Sequence, residues 1–269
     1  MTLPTTETLQ LREDGIALHV TLNRPDARNA MSLQMTQELR AVFTAIADSD
    51  TIRAVVLRGA GGHFCAGGDI KDMAGARARA MESGNGEAYA ELNRAFGHLI
   101  TQVNHAPQVV IAVLEGAVMG GGFGLACVSD VAIAHQDARF ALPETSLGIL
   151  PAQIAPFVVQ RVGFTQARRI ALLGARFDGA EAARLGIAHH VVANSEEIEA
   201  ELFAAVAHVR KCAPAATRAT KALLHRVGTE PLEGLLDDAA RQFARAVAGA
   251  EGAEGTLAFV QKRPPQWAE

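Results

Sequence analysis

Two glycine-rich stretches are the places where this sequence is equipped for chemistry. One ends at Gly67-Gly68-Asp69, and the other is Gly120-Gly121-Gly122. Each follows a short, β-branched-rich apolar run, Arg53–Leu57 or Val109–Leu114, and each precedes a segment that suits a helix. A chain turning through glycines into a helix leaves backbone N–H groups without intrahelical acceptors, and the helix dipole favours negative charge there. Glycine also permits φ > 0 and lets a ligand touch the backbone. If the two units stack, both can aim an N–H at one spot, and two converging amides make an oxyanion hole. Taken alone, either stretch is explained as well by a tight strand-to-helix turn.

Glu144 is the candidate acid–base. It lies beside Phe140, Ala141, Leu142 and Leu147, and apolar surroundings raise a carboxylate's pKa toward working pH. Read from its neighbours alone, it is also explained as a solvated or capping carboxylate. Other chemistries lack their residues. Gly120 to Leu125 does not complete G-x-G-x-x-G, no GK[ST] closes a phosphate loop, and neither G-x-S-x-G nor H-E-x-x-H occurs. His189-His190 falls in an expected strand without ligand spacing and reads as structural or surface.

The elements that must hold these residues follow from periodicity. Thr8–Arg12 and Ile16–Leu22 alternate around Asp14-Gly15, a hairpin signal. Ser32 caps an expected helix from Leu33 to Ile46. Ala74–Glu87 is poor in large apolar groups and reads as a mobile surface segment, either a plain loop or a substrate lid. Tyr89–Val103 places Leu92, Phe96, Leu99, Ile100 and Val103 on one helical face. Phe123–Ser129 suits a buried helix, Val131–Ala134, Ala138–Leu142 and Ile187–Val192 read as strands, and Pro151–Val162 and Thr165–Leu173 read as helices. Beyond Ser195 the pattern is helical throughout. The shift predicts a core over 1–193 and a helical region over 194–269.

Composition bounds the partners. The chain has 269 residues, 49% hydrophobic and 20% charged, with net charge −4, so a large core is available and a general nucleic-acid or membrane-surface binder is disfavoured. Cys65, Cys127 and Cys212 form no CxxC pair, which suits a reducing compartment. The N-terminal residues lack a signal-peptide pattern and no apolar run reaches membrane-span length, so a cytoplasmic location is expected.

At this point the motifs resemble a family. Gly62-His63-Phe64-Cys65-Ala66-Gly67-Gly68-Asp69-Ile70 is similar to the [FS]-x-A-G-x-D-[IL] segment of the crotonase family, the enoyl-CoA hydratases and isomerases. Gly116 through Cys127 resembles its G-x-x-x-G-G-G segment, and Phe140–Gly148 its F-x-x-P-E-x-x-x-G. Asn23-Arg24-Pro25 with Arg28-Asn29-Ala30 and Phe259–Arg263 resemble its terminal motifs. The resemblance implies an α/β spiral of ββα units, then a helical trimerisation region giving a homotrimer or a dimer of trimers. It implies an acyl-coenzyme A substrate, no metal or redox cofactor, oxyanion amides from Gly68 and Gly121, and catalysis by Glu144. It assigns Arg28, Ala30, Ala66, Asp69, Ile70, Phe259 and Lys262 to the coenzyme A end. Arg28 and Lys262 are expected on its phosphates, Lys262 from another subunit.

One position departs. Two-glutamate hydratases carry their first glutamate where this chain has Gly124, which is expected to leave room for a carboxylate on the substrate itself. Gly122–Leu125 and Gly148–Val159, containing LPAQIAPFVV, resemble bacterial hydratases of 3-substituted glutaconyl-CoA thioesters in leucine and acyclic-terpene breakdown. A Δ3,Δ2-enoyl-CoA isomerase using Glu144 alone is the alternative, and a non-catalytic binding protein of the same fold is a third.

Overall fold

The computed structural model describes residues 2–268. The chain divides into two compact units, Met1–Phe203 and Ala204–Glu269. The expected division at 193/194 falls ten residues earlier, just before a helix that carries the first unit on to Phe203.

The first unit opens with the hairpin β1 (Leu9–Asp14) and β2 (Ala17–Leu22), then α1 (Leu33–Ile46). Ser32 caps α1, its Oγ accepting from the Met35 N–H at 3.1 Å, and Met35, Leu39, Val42, Phe43 and Ile46 bury the helical stripe. There follow β3 (Ala54–Gly59), α2 (Ile70–Ser83), α3 (Glu87–Asn104), β4 (Val109–Leu114), β5 (Ala117–Met119), α4 (Gly121–Val128), β6 (Val131–His135) and β7 (Arg139–Ala141). Then come α5 (Ala155–Leu173), β8 (Arg176–Phe177), α6 (Gly179–Arg184), β9 (His190–Val192) and the start of α7 (Ser195–Lys211).

Six strands form one sheet in the order β1-β2-β3-β4-β6-β9, antiparallel at the first pair and parallel thereafter. Its central strands are buried on both faces, which is why β4 reads VVIAVL without alternation. A smaller sheet runs β5-β7-β8. The core between them includes Phe123, set edge-on to Phe140 at 6.4 Å between ring centres, with Phe140 stacked on Phe177 at 5.7 Å.

The two sheets share one rule. β4, β5 and α4 form a unit in which the first strand enters the large sheet, the second the small one, and a helix follows. β6, β7 and α5 repeat it. β3 is followed by Cys65, which bridges in parallel to Val118 of β5, and then by α2. Stacking is therefore residue against residue: Cys65 opposite Val118, and Val118 opposite Phe140.

Several elements differ from expectation. Residues 74–83 are helical, continuing α2. Asp69 starts that helix by accepting from the N–H groups of Lys71 and Asp72, and the Ala, Arg, Met and Glu content sustains it with only Ala76 buried. Only Gly84–Gly86 remains irregular before α3. The helices expected at Pro151–Val162 and Thr165–Leu173 are both present within α5, separated at Gly163, whose φ of 74° is not helical; the first of them starts at Ala155 and not at Pro151. β5, β8 and α6 are too short to carry a periodic signal.

The second unit contains α8 (Pro214–Arg226), α9 (Leu232–Ala248) and α10 (Ala250–Val260). Glu251 of α10 accepts from the Ala215 and Ala216 N–H groups, closing the start of α8. Arg263 pairs with Glu254 at 2.7 Å and holds the chain after α10. Along α9, Leu232, Leu236, Phe243 and Val247 remain exposed.

Candidate active site

The stacking rule places the three candidate residues. Gly68 lies three residues past Cys65, Gly121 three past Val118, and Glu144 four past Phe140. Since Cys65, Val118 and Phe140 are paired in a row, Gly68, Gly121 and Glu144 leave neighbouring turns of the spiral at the same level. A methyl group built on Gly120 would stand 3.1 Å from Glu144 Oε1 and 3.4 Å from Gly67 Cα, so the three segments meet at one point. Gly120 has φ 51° and ψ −117°, a conformation that a side chain would strain.

Gly121 is the first residue of α4, where a backbone N–H has no intrahelical acceptor. Among the described residues, no acceptor takes the N–H of Gly121 or of Gly68. Nothing stands within 4 Å of where a side chain at Gly68 would go, whereas at Gly121 it would meet Phe96 Cζ at 3.1 Å. Phe96 of α3 thus walls the open amide. Its sequence signal was a place on an apolar helical face, which pointed to core.

The Gly68 turn is pinned on both sides. On one, the Cys65 N–H donates to Ala117 O at 2.9 Å and the Met119 N–H to Cys65 O at 2.9 Å. On the other, the Met31 N–H donates to Gly67 O at 2.7 Å, while the N–H groups of Ala66 and Asp69 donate to Arg28 O and Met31 O at 3.0 Å each. This ladder brings Arg28, Ala30, Ala66, Asp69 and Ile70 together. Arg28 and Ile70 are exposed, Ile70 at 81%. The Asp69 carboxylate is committed to capping α2 and to Arg24 at 2.7 Å, which holds its pKa below the ordinary value despite burial. Asn29, fully buried with φ 56°, ties the ladder down by donating to Ala60 O and His63 O. Phe259 and Lys262 belong to the second unit. Phe259 is 86% exposed at the end of α10, and Lys262 is exposed with φ 53°.

Glu144 opens a short 3₁₀ turn that runs to Leu147 and closes at Gly148. Oε2 is buried without a hydrogen-bond partner. Desolvation pushes the carboxyl's pKa above the ordinary glutamate value, against a smaller opposing effect of a backbone hydrogen bond. A half-buried carboxylate with one buried, uncommitted oxygen at the mouth of two free amides is equipped to exchange a proton with a bound molecule. The other buried groups nearby are not. Burial pushes the Cys65 thiol up to about 11 and the Cys127 thiol up to about 12. His189 accepts from the Ala132 N–H at 2.9 Å, a structural role.

Gly124 corrects an expectation. It does not leave room for a substrate carboxylate. A Cβ there would overlap Ile154 Cγ2, lie 2.9 Å from Ile100 Cδ1 and 3.1 Å from Ile154 Cβ. The segment before α5 fills the space with an aliphatic side chain that is 3% exposed. Gly124→Ala is accordingly expected to destabilise the fold by about 1–3 kcal/mol through overpacking. Ile154→Ala should recover part of that loss in the double variant, and additive losses in a thermal-unfolding cycle would show that the two positions do not compete for space.

These features find a match outside the molecule. A family model described as enoyl-CoA hydratase/isomerase matches residues 12–269. The chain belongs to the enoyl-CoA hydratase/isomerase family. Its α/β architecture is therefore the crotonase fold, and its family acts on acyl-coenzyme A thioesters. The structure of Pseudomonas aeruginosa AtuE is 63% identical, covers 98% of this chain and 100% of its own, and superimposes with a TM-score of 0.95. The probable enoyl-CoA hydratase echA8 of Mycobacterium tuberculosis is 33% identical over 98% of both chains. A peroxisomal Delta(3,5)-Delta(2,4)-dienoyl-CoA isomerase of Arabidopsis thaliana is 28% identical over 100% of both. Hydratases and isomerases thus both stand among the relatives of this enoyl-CoA hydratase/isomerase. No helix among its described residues is long and apolar enough to cross a membrane.

Proposed function

We propose that this enzyme adds water across the α,β double bond of a 3-substituted glutaconyl-CoA, in leucine or acyclic-terpene breakdown. The observation that carries the hydratase reading is the meeting of Glu144 with the two uncommitted amides at one level of the spiral. The thioester oxygen accepts from the N–H groups of Gly68 and Gly121. Two donors each about 2.9 Å from one oxygen lie about 5 Å apart, close to the spacing of adjacent strands, which supports paired turns as the source of such donors. Glu144 takes a proton from water as its oxygen attacks Cβ, and the π electrons move to give an enolate. The resulting carboxylic acid returns that proton to Cα. One carboxylate thus serves both steps, consistent with the Ile154 hydrocarbon packed against Gly124, and the electron balance calls for no redox group. The glutaconyl assignment rests on the resemblance of the GFGL and LPAQIAPFVV segments.

Arg28 and Lys262 hold the coenzyme A phosphates in this reading, with charge-assisted hydrogen bonds. The exposed stripe on α9 supports association into a trimer or a dimer of trimers, through which another subunit delivers Lys262. Removing either cation should raise KM more than it lowers kcat and blunt discrimination against dephospho-coenzyme A thioesters. Unchanged KM in both variants would return these residues to ordinary surface cations.

The isomerase reading has its own support in the single carboxylate and the dienoyl-CoA isomerase relative. Product analysis separates the two. With 3-methylglutaconyl-CoA, crotonyl-CoA and a 3-enoyl-CoA in ¹⁸O water, the hydratase reading expects label at Cβ of the glutaconyl product. Turnover of the 3-enoyl-CoA alone, without label, would give the enzyme to the isomerases.

A further inference from the structure

We infer that Arg94 and Asn93 of α3, held by Gln153, form a clamp for the distal carboxylate of the substrate. The inference rests on the glutaconyl reading and names the groups that recognise it.

α3 meets α4 twice, Phe96 standing at Gly121 and Ile100 at Gly124. The two helices therefore advance in the same direction along this contact. The turn of α3 that precedes Phe96 therefore lies beyond the start of α4. Asn93 and Arg94 occupy that turn.

Gln153 comes to the same place from the segment before α5. Its Nε2 donates to Asn93 Oδ1 at 2.9 Å, and its Oε1 accepts from Arg94 Nη1 at 3.0 Å. Gly97, one turn further on, makes the approach possible, because a Cβ there would overlap Gln153 Oε1 and stand 2.5 Å from Arg94 Nη1. The next residue, Ile154, is the one that fills the space at Gly124. A single short segment thus supplies hydrocarbon where a second carboxylate would sit and a polar holder where a cation is needed.

Among the described residues Arg94 pairs with no carboxylate, and its only hydrogen bond is to Gln153. The Asn93 Nδ2 hydrogens have no acceptor there either. What remains is a positive charge, carried forward along α3 to the level of Gly97 between Phe96 and Ile100, and several donors, next to the Phe96 and Ile154 side chains that wall the site. A carboxylate is the group that takes such donors with geometric selectivity. Drawing the substrate's charge to this end also keeps it away from Glu144, where two anions would repel in a low-dielectric site.

The test uses non-reacting thioesters, glutaryl-CoA and butyryl-CoA, which differ in the distal carboxylate. Their affinities are measured by titration calorimetry for the intact protein, Arg94→Met and Arg94→Glu, with thermal unfolding as the folding control. Arg94 is exposed, so both variants are expected to fold. The intact protein should favour glutaryl-CoA. Arg94→Met should cut that preference by about 10–100-fold, the range of a charge-assisted hydrogen bond, and Arg94→Glu should invert it. If the intact protein favours glutaryl-CoA and both variants keep the preference, the clamp is wrong and the glutaconyl reading survives. If the intact protein shows no preference, the glutaconyl reading falls and the clamp falls with it.

Discussion

Glu144→Gln is expected to lower kcat by about 10²–10⁴-fold, the range for removing a general acid–base, with coenzyme A thioesters still binding. The substitution keeps the shape of the side chain and removes the exchangeable proton. The same residue sets the acid limb of the pH profile. Burial raises its pKa above the ordinary value of 4.5, and the base form must be anionic to take a proton from water. kcat/KM of the intact enzyme should therefore fall with decreasing pH at a higher pH than an ordinary glutamate would give. Stability should move the other way. Below the ordinary carboxylate range, folded and unfolded chains both hold the proton, and Glu144 costs nothing. As pH rises through the raised folded pKa, the native state must ionise a desolvated group, and stability is lost. Glu144→Gln removes that penalty, so its Tm advantage over the parent should be absent at low pH and present at neutral pH. An inactive variant with no such advantage would mean that Oε2 is not the strained group that the burial indicates; near-full turnover would remove Glu144 from the mechanism.

Gly121→Pro is expected to cost about 10²–10³ in kcat, the effect of deleting one oxyanion donor. Proline suits the first position of a helix, so the deletion acts on the N–H with limited damage to α4. The ring would press on Phe96, which a methyl group already approaches to 3.1 Å. The informative comparison is therefore Gly121→Pro in a Phe96→Ala background against Phe96→Ala alone. A folded double variant as active as its Phe96→Ala parent would refute the role of the amide.

Much of this site was legible because its motifs are backbone requirements. Glycines at 67–68 and 120–122 announce turns into helices, and the spacing of apolar runs announces the strands that stack them. The two helices within α5 were legible for the same reason, because the break between them falls at a glycine, Gly163, whose φ is 74°. Residues 74–83 were misread. A helix that buries only Ala76 leaves no apolar period to read past its first turn. The wall of the site was least legible. Phe96 and Ile154 are ordinary core residues by type, and nothing local says that they face Gly121 and Gly124 across the chain. Gly124 itself was misread as empty space because sequence shows a missing side chain and not the neighbour that fills its place.

The interlock of Gly124 with Ile154 and Ile100 also sets the order in which this site can change over evolutionary time. A glutamate at 124 introduced first would drive a charged side chain into hydrocarbon and lose the fold before it gained a function. Shrinking Ile154 first leaves a cavity, a cost of about 2–5 kcal/mol that a stable chain can survive. Only from that intermediate is a second acid accessible. The order of the two changes is thus fixed, and libraries that vary position 124 alone should return glycine foremost, with alanine tolerated and glutamate absent.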